Sequence, residues 1–459
     1  MASVTAKIER DSSIKLDEFV RRFSRTRRPI PVDFRKLVPT LSNPDRATHF
    51  IHPYPAKLLV QIPIFFLSND VLSSPGEIVL DPFSGSGTVM LEAMLAGRVA
   101  LGAESNPLAR LISEVKTSPI SGDLLKVTLK MILDAKPVRA SGPIPQVVNI
   151  EKWFYPHVTT QLRRLLEGIS LLPAGPQRKF FELCLSKCAS KVSLADPRIA
   201  VPVRLNLEKY SEENPHREKV ASHFRRLKRI NVFELFEKLT KENICRMEKL
   251  VEFQQTQGKG RLVSCDAQNL FSPHSKTGLK KNSVSLVITS PPYPGAQKYI
   301  RSSTFGLGWL DLCSPNDMME LKRKTIGREE FRLRDCEEIP RLNISSIDTA
   351  VSNVGKRDVK RAAVVGYYLY EMRKSLIEIH NALKVGGSLV LVASNNQIAG
   401  RNFPTAKYLK VLCENIGFVS KFVLVDEISS RGLMTKRNKT AGIITREYVL
   451  LCEKVGATN

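Results

Sequence analysis

The segment Gly76–Pro107, GEIVLDPFSGSGTVMLEAMLAGRVALGAESNP, constrains the fold more than any other part of the chain. A short apolar run at Ile78–Leu80 ends in Asp81 and a glycine turn. Helical spacing then holds over Val89–Ala96, and Val99–Ala103 returns to a strand pattern. A period that switches from strand to helix and back is the mark of a βαβ unit. Such a unit needs a parallel sheet with its crossover helix packed on one face. The expected fold class is therefore α/β, with ligands bound outside the carboxyl ends of the strands.

The same rhythm returns after residue 260. RLVSCDA (Arg261–Ala267) and VSLVITSPPY (Val284–Tyr293) each set polar residues just after an apolar strand. A helix over Val365–Leu383 leads through the turn Lys384–Gly387 into the strand Ser388–Ser394. A further helix, Thr405–Ile416, precedes strands near Phe418–Val425 and Glu447–Cys452. From Ser118 to Lys259 the alternation is lost. Val158–Leu172 and Val232–Phe253 have helical periodicity, and between them HREKVASHFRRLKR (His216–Arg229) is strongly basic. The expected organisation is a basic N-terminal arm over 1–45, with Ser24–Pro31 an arm or a short helix followed by a turn. Residues 46–117 and 260–459 make the two parts of one α/β domain, 118–259 is a helical basic insertion, and 298–361 is a polar basic segment.

Charge narrows the partners. Lys and Arg number 70 against 45 Asp and Glu, a formal net charge of +25. An excess of this size concentrates a polyanion near the surface and speeds encounter with it, so nucleic acid is the leading partner. The eight cysteines form no CxxC pair, and no His stands near them at finger spacing, so no metal site is expected. Scattered thiols fit an intracellular compartment, here the cytoplasm with the nucleoid. No apolar run approaches the roughly 18 residues that a membrane span needs.

Four strand ends carry distinctive groups: Asp81, Glu104, Asp266 and Ser290. In DPFSGSGT, Gly85 and Gly87 let the backbone turn tightly and approach a ligand closely. No Gly-Lys-Ser/Thr follows, so this is not a P-loop, and Thr88 with no third glycine in register departs from GxGxxG. Asp81, followed by Pro82 and Phe83, offers a carboxylate to a ligand ammonium, and the next helix offers unpaired N–H groups to a ligand carboxylate. Glu104 stands where an acid commonly accepts ribose hydroxyls. Asp266 is placed to receive an adenine amino group. Ammonium, ribose and adenine are the polar parts of S-adenosyl-L-methionine, whereas a dinucleotide also needs a pyrophosphate cradle.

TSPPY (Thr289–Tyr293) closes the next strand. Pro291 and Pro292 lack the N–H donor, so they end the strand and fix exposed carbonyls. The exocyclic amine of a nucleobase is a poor nucleophile because its lone pair is delocalised. Two acceptors, the Ser290 hydroxyl and the Pro291 carbonyl, can draw that nitrogen toward tetrahedral geometry while Tyr293 stacks on the base. Attack on a sulfonium methyl then needs positioning and electrostatics but no metal.

At these residues the chain resembles the amino-methyltransferases of DNA, the family that makes N6-methyladenine and N4-methylcytosine. DPFSGSGT is similar to the family's cofactor motif and TSPPY to its (Asp/Asn/Ser)-Pro-Pro-(Tyr/Phe/Trp) catalytic motif. The resemblance implies a Rossmann-like S-adenosylmethionine-dependent sheet, with the basic helical region as a departure from the common core. Ser290 at the first motif position implies N4 of cytosine, and the adenine enzyme is the nearest alternative. It further implies double-stranded DNA with the target base flipped out, and a restriction or defence system with its own partner proteins. HPYPAKL (His52–Leu58) is similar to a segment that walls the methionine end of the cofactor, which implies Pro55 and Lys57 near it. Ser429–Lys454 resembles the family's final hairpin. Arg225, Arg226, Lys228 and Arg229 are dense enough to contact phosphates. Other readings are a methyltransferase of structured RNA, a DNA-binding protein with an inactive fold, and a nicotinamide-linked oxidoreductase.

Overall fold

In the computed structural model the described residues are 2–38, 45–55, 57–135, 137, 139, 141–253, 258–271, 279–295, 299–428 and 445–456. Side chains are described from Ser12 onward, Leu333 excepted. The strands are β1 (Ile30–Val32), β2 (Ile78–Asp81), β3 (Val99–Ala103), β4 (Gly260–Ser264) and β5 (Val284–Thr289). They continue with β6 (Leu383–Ala393), β7 (Asn396–Ile398), β8 (Arg401–Phe403), β9 (Phe418–Glu427) and β10 (Arg446–Lys454). Eight of them form one sheet in the order β1-β9-β10-β6-β5-β2-β3-β4, and β7 and β8 pair separately. Only β10 runs against its neighbours in the eight-stranded sheet; the other adjacent pairs are parallel.

This arrangement brings the carboxyl ends of β2, β3, β4, β5, β6 and β9 to one rim, together with the amino end of β10. The order of strands at the centre follows from burial. All six residues of β5 are buried, so the strand is covered on both faces and its sequence reads as an unbroken apolar run. The helix Val359–Ala382 covers part of the sheet through Val365, Leu369, Met372, Leu376 and Ile379, spaced three and four apart. The sequence pattern places its start at Val365. The Asp358 side chain accepts from the Arg361 N–H and caps the helix one and a half turns earlier.

The N-terminal segment departs from the expected arm. Residues Ala2–Thr26 form one helix, and β1 adds to the sheet edge beside β9, with Ile30 opposite Leu424. Leu16, Phe19 and Phe23 recur at helical spacing and are buried. Phe19 meets Phe422 of β9 edge-on at 5.8 Å. A basic outer face hid this apolar stripe.

Between β3 and β4 the chain is largely helical, including Pro107–Lys116, Pro156–Ser170, Pro176–Val192, Arg217–Arg229 and Val232–Phe253. Of the polar segment expected over 298–361, the described residues 299–361 hold the helices Thr304–Trp309, Pro315–Lys324 and Ser345–Gly355 among others. Of the hairpin expected at Ser429–Lys454, residues 429–444 lie outside the described residues and the remainder supplies β10. No helix among the described residues is long and apolar enough to cross a membrane. The mixed sheet, parallel but for one strand, fits a Rossmann-like methyltransferase fold.

Candidate active site

Strand ends from β2 to β5 wall a single cleft. Asp81, Pro82, Phe83, Gly85, Thr88, Glu104, Asp266, Ser290, Pro292 and Lys57 all line it. Asp81 is buried at the end of β2. Its Oδ1 accepts the Phe83 N–H at 3.1 Å and the Thr289 hydroxyl at 2.6 Å. Burial pushes its carboxyl up to about 7, against those two bonds and with added repulsion from Glu104. A buried carboxyl held this close to neutrality gains most from a cation placed beside it.

Glu104 uses both oxygens. Oε2 accepts from the Gly85 N–H and Oε1 from the Asn106 N–H, each at 2.8 Å. The carboxylate thus clamps the glycine turn to the start of the next helix. Its remaining lone pairs stay available for ligand hydroxyls. Gly85 and Gly87 both take positive φ, +49° and +74°. Gly87 lies outside the cleft lining, and a Cβ there would sit 3.0 Å from the Ser113 hydroxyl, so its role is close packing. Asp266 is exposed, with Oδ1 accepting the Gln268 N–H at 2.9 Å.

Lys57 borders the cleft, but its ammonium is committed elsewhere. Nζ donates to the carbonyls of His49 at 2.9 Å and His52 at 3.1 Å. Burial and the nearby Lys187 and Arg246 charges lower it to about 8. The same loop is fixed by His49, whose Nε2 meets Glu92 Oε1 at 2.6 Å, and by Arg46, which pairs with the other oxygen at 2.7 Å. His52 is buried and pushed down to about 3 by desolvation, so it is neutral. Its Nδ1–H donates to the Pro53 carbonyl at 2.7 Å, which leaves Nε2 to accept from the Ser186 hydroxyl at 3.2 Å. Pro55 does not line the cleft.

On the other side of β5, Pro291 and Tyr293 lie outside the cleft lining. Tyr293 reaches across β6: its hydroxyl accepts from Ser394 Oγ at 3.2 Å and donates to Glu447 Oε1 at 3.4 Å. The backbone behind Tyr293 is closely packed. A Cβ on Gly327, at φ +78°, would stand 2.8 Å from the Tyr293 carbonyl.

Several site residues escaped the sequence reading. Thr289 joins the two motifs directly through Asp81. Asn106 caps the helix Pro107–Lys116 with its Oδ1, and its Nδ2 donates to Ser303 at 2.8 Å and Tyr54 at 3.3 Å. The Tyr54 and Tyr299 rings lie nearly parallel, 6.4 Å apart, in the cleft wall. A polar residue ahead of a proline-started helix was a legible capping signal for Asn106; nothing local marks Tyr299, Ser394 or Glu447.

Arg225, Arg226, Lys228 and Arg229 stand on the helix Arg217–Arg229, and none lines the strand-end cleft. Arg225 pairs with Glu218. Arg226 instead borders a second groove, mainly basic, that Lys187, Lys191, Lys238 and Arg246 line together with Phe50, His52 and Pro53. One loop therefore separates the groove from the cleft.

A family model described as DNA methylase matches residues 42–114, the stretch that builds β2, β3 and the glycine turn. The chain is 22% identical to the Type II methyltransferase M.MvaI of Kocuria varians, over 89% of this chain and 92% of that protein. These matches support the DNA amino-methyltransferase family. The Type II methyltransferase M.MjaII of Methanocaldococcus jannaschii is 36% identical over 20% of this chain and 17% of its own length. A Thermus thermophilus chain, solved as a candidate DNA modification methylase, aligns at 23% identity over 20% of this chain and 38% of its own, with a TM-score of 0.15.

Proposed function

We propose that this protein transfers a methyl group from S-adenosyl-L-methionine to N4 of cytosine in double-stranded DNA. The observation that carries the reading is the 2.6 Å bond from the Thr289 hydroxyl to Asp81. It ties the strand that presents Ser290 and Pro291 to the strand that presents the cofactor carboxylate, so donor and acceptor are held at one rim.

The donor set fits the cofactor. Asp81, buried and close to neutral, is matched to an ammonium; Glu104 to ribose hydroxyls; Asp266, exposed at the end of β4, to an adenine amino group. When bound, the cofactor supplies an electrophilic methyl on a sulfonium. The chain's own task is to orient the amine. The Ser290 hydroxyl and the Pro291 carbonyl accept its two N–H bonds, Pro292 keeps that carbonyl from turning, and Tyr293 borders the base. A target inside a duplex is hidden, so the nucleotide is flipped out. Ser at the first position of the motif favours cytosine. We assign phosphate contacts to the basic region between β3 and β4, with Arg226, Lys228 and Arg229 unpaired by any described carboxylate. The relatives' names, Type II methyltransferases, support a role in restriction–modification, and we assign this protein to the cytoplasm with restriction or defence-system proteins as its partners.

The test is methylation of synthetic duplexes followed by digestion and nucleoside mass spectrometry. N4-methylcytosine is the expected product. N6-methyladenine would transfer the assignment to the adenine enzyme. DNA binding without any methylated nucleoside would leave only a binding protein with an inactive fold.

A further inference from the structure

With DNA read as the substrate, the groove bordered by Arg226 takes on a role of its own. Three helices supply its cations: Lys187 and Lys191, one turn apart, from Pro176–Val192, Arg226 from Arg217–Arg229, and Lys238 and Arg246 from Val232–Phe253. On that last helix Leu235, Leu239 and Glu242 complete a single stripe, its members three and four residues apart. From Leu235 to Arg246 the stripe is about 16 Å long, the length of about five base steps along one strand of a duplex.

Two carboxylates share the lining with these cations. Asp45 is taken up by Arg246, whose Nε and Nη2 donate to its two oxygens at 3.0 and 3.2 Å. Glu242 is left against Lys187, Lys191, Arg226 and Lys238, none of which makes an ion pair among the described residues. Lys187 is the most confined of the four. It is 7% exposed, and its ammonium donates to the Asn243 Oδ1 at 3.1 Å, an oxygen it shares with Arg246 Nη1. Burial, and then the Arg246 charge, hold it below the usual lysine range. A buried ammonium with an amide for its partner and a second cation beside it is costly, and an anion in the groove relieves that cost.

We propose that this groove holds the phosphate backbone of the DNA strand whose base enters the cleft, with Lys191, Arg226 and Lys238 as its phosphate contacts and Lys187 the buried charge that the backbone neutralises. The loop between groove and cleft joins the two. Pro53 lines the groove, and Tyr54, next in sequence, lines the cleft with Ser290 and Pro292. A strand in the groove is therefore one loop away from the pocket that receives its flipped base. Asn243 fixes this loop as well, its Nδ2 donating to the Ile51 carbonyl at 3.0 Å, so the amide that carries Lys187 also holds the partition. Phe50 stands exposed on the same loop, an aromatic face beside the cations, as on surfaces that track a single strand.

Anisotropy of a fluorescein-labelled DNA duplex of about 30 base pairs, titrated with the full chain from about 50 to 300 mM salt, tests this without cofactor or turnover. Lys191→Ala, Arg226→Ala and Lys238→Ala should each flatten the slope of log affinity against log salt by about 0.9, and the triple variant by about 2.7. The control is the triple alanine variant of Arg21, Arg22 and Arg25, exposed on the helix that packs beside β9 at the other edge of the sheet; its slope should match the wild type. In turnover, the groove triple variant should raise KM for DNA with kcat within about twofold. A wild-type slope in that variant would overturn the proposal, as would an equal loss in the N-terminal control, which would make the attraction a property of the whole basic surface. An unchanged KM would put the groove off the path of the methylated strand and overturn it too. Tighter groove-dependent binding of an RNA duplex of equal length would overturn it in favour of RNA. If the slopes fall as expected while the wild-type protein methylates no DNA, the groove stands and the reading of Ser290 fails.

Discussion

The two halves of the rim are built by different means. On the β2–β4 side, the carboxylates are held mainly by backbone N–H groups two to nineteen residues away, Asp81 by Phe83, Glu104 by Gly85 and Asn106, and Asp266 by Gln268, with the Thr289 hydroxyl a distant addition at Asp81. On the β6–β10 side, Tyr293 is held by side chains from distant strands, with Ser394 101 residues on and Glu447 154 residues on. One half is built largely from turns that hold their own carboxylates; the other exists only once the sheet has closed. Local turns tolerate change around them, because their donors are main-chain atoms. An assembled site depends on register, and a one-residue slip of β10 would turn Glu447 to the opposite face.

The largest effect is expected where the proposed chemistry concentrates. Ser290→Ala and Tyr293→Ala should each lower kcat by about a hundredfold or more, the range for losing one aligned donor or acceptor in a preorganised site. Cofactor affinity, read by calorimetry, should stay within about threefold in both, since neither side chain is among the groups matched to the cofactor. A wild-type rate in either variant would remove its assigned role. A parallel loss of cofactor affinity would show that the two halves are energetically one site rather than two.

A smaller effect is expected at Gly102, the glycine of β3 under the cofactor turn. A Cβ there would sit 2.4 Å from Met90 Sδ, 3.0 Å from Leu262 and 3.1 Å from Ser84. Gly102→Ala should therefore destabilise the protein by about 1–3 kcal/mol, the usual cost of overpacking. Denaturant melts check the stability, and calorimetry checks whether the turn has shifted. The Met90 end is flexible, so a cost near zero would mean that the helix Thr88–Leu95 yields without disturbing the turn. The variant then separates the packing role of the glycine from the ligand role of Gly85.

Legibility in the sequence follows the same division. The βαβ unit could be read because strand, turn and helix each leave a local periodic signal, and Asp81, Gly85 and Glu104 fall within it. Asn106 carried a legible capping signal, its place before Pro107, but the sequence reading passed over it. TSPPY was legible as a strand stop, and Thr289 stood in view within it, yet its bond to Asp81 depends on β2 and β5 lying side by side. Glu447 had no such sign: it is one acid in a strand, and only the antiparallel direction of β10 brings it to the rim. The N-terminal helix was obscured for another reason, since Arg21, Arg22, Arg25, Arg27 and Arg28 dominate a segment whose buried stripe is Leu16, Phe19 and Phe23.

The finest distinction between the halves is their dependence on pH. Asp81 sits near 7 in the folded protein, raised by burial, and must be ionised to hold an ammonium. Cofactor affinity should then be near its maximum just above 7 and weaken as pH falls through that value, by at most about tenfold per unit for one proton. The ligand's own amino group remains protonated below about 7.7, so the loss on that side belongs to the protein. Asp81→Asn should bind weakly and show no such slope. Glu447 contacts Tyr293 on the other half, so Glu447→Gln should keep the full wild-type slope in affinity. Calorimetry across about pH 5 to 8 on both variants checks this. Should Glu447→Gln flatten the same curve as Asp81→Asn, the two halves would titrate as one site, and the division at β5 would not hold.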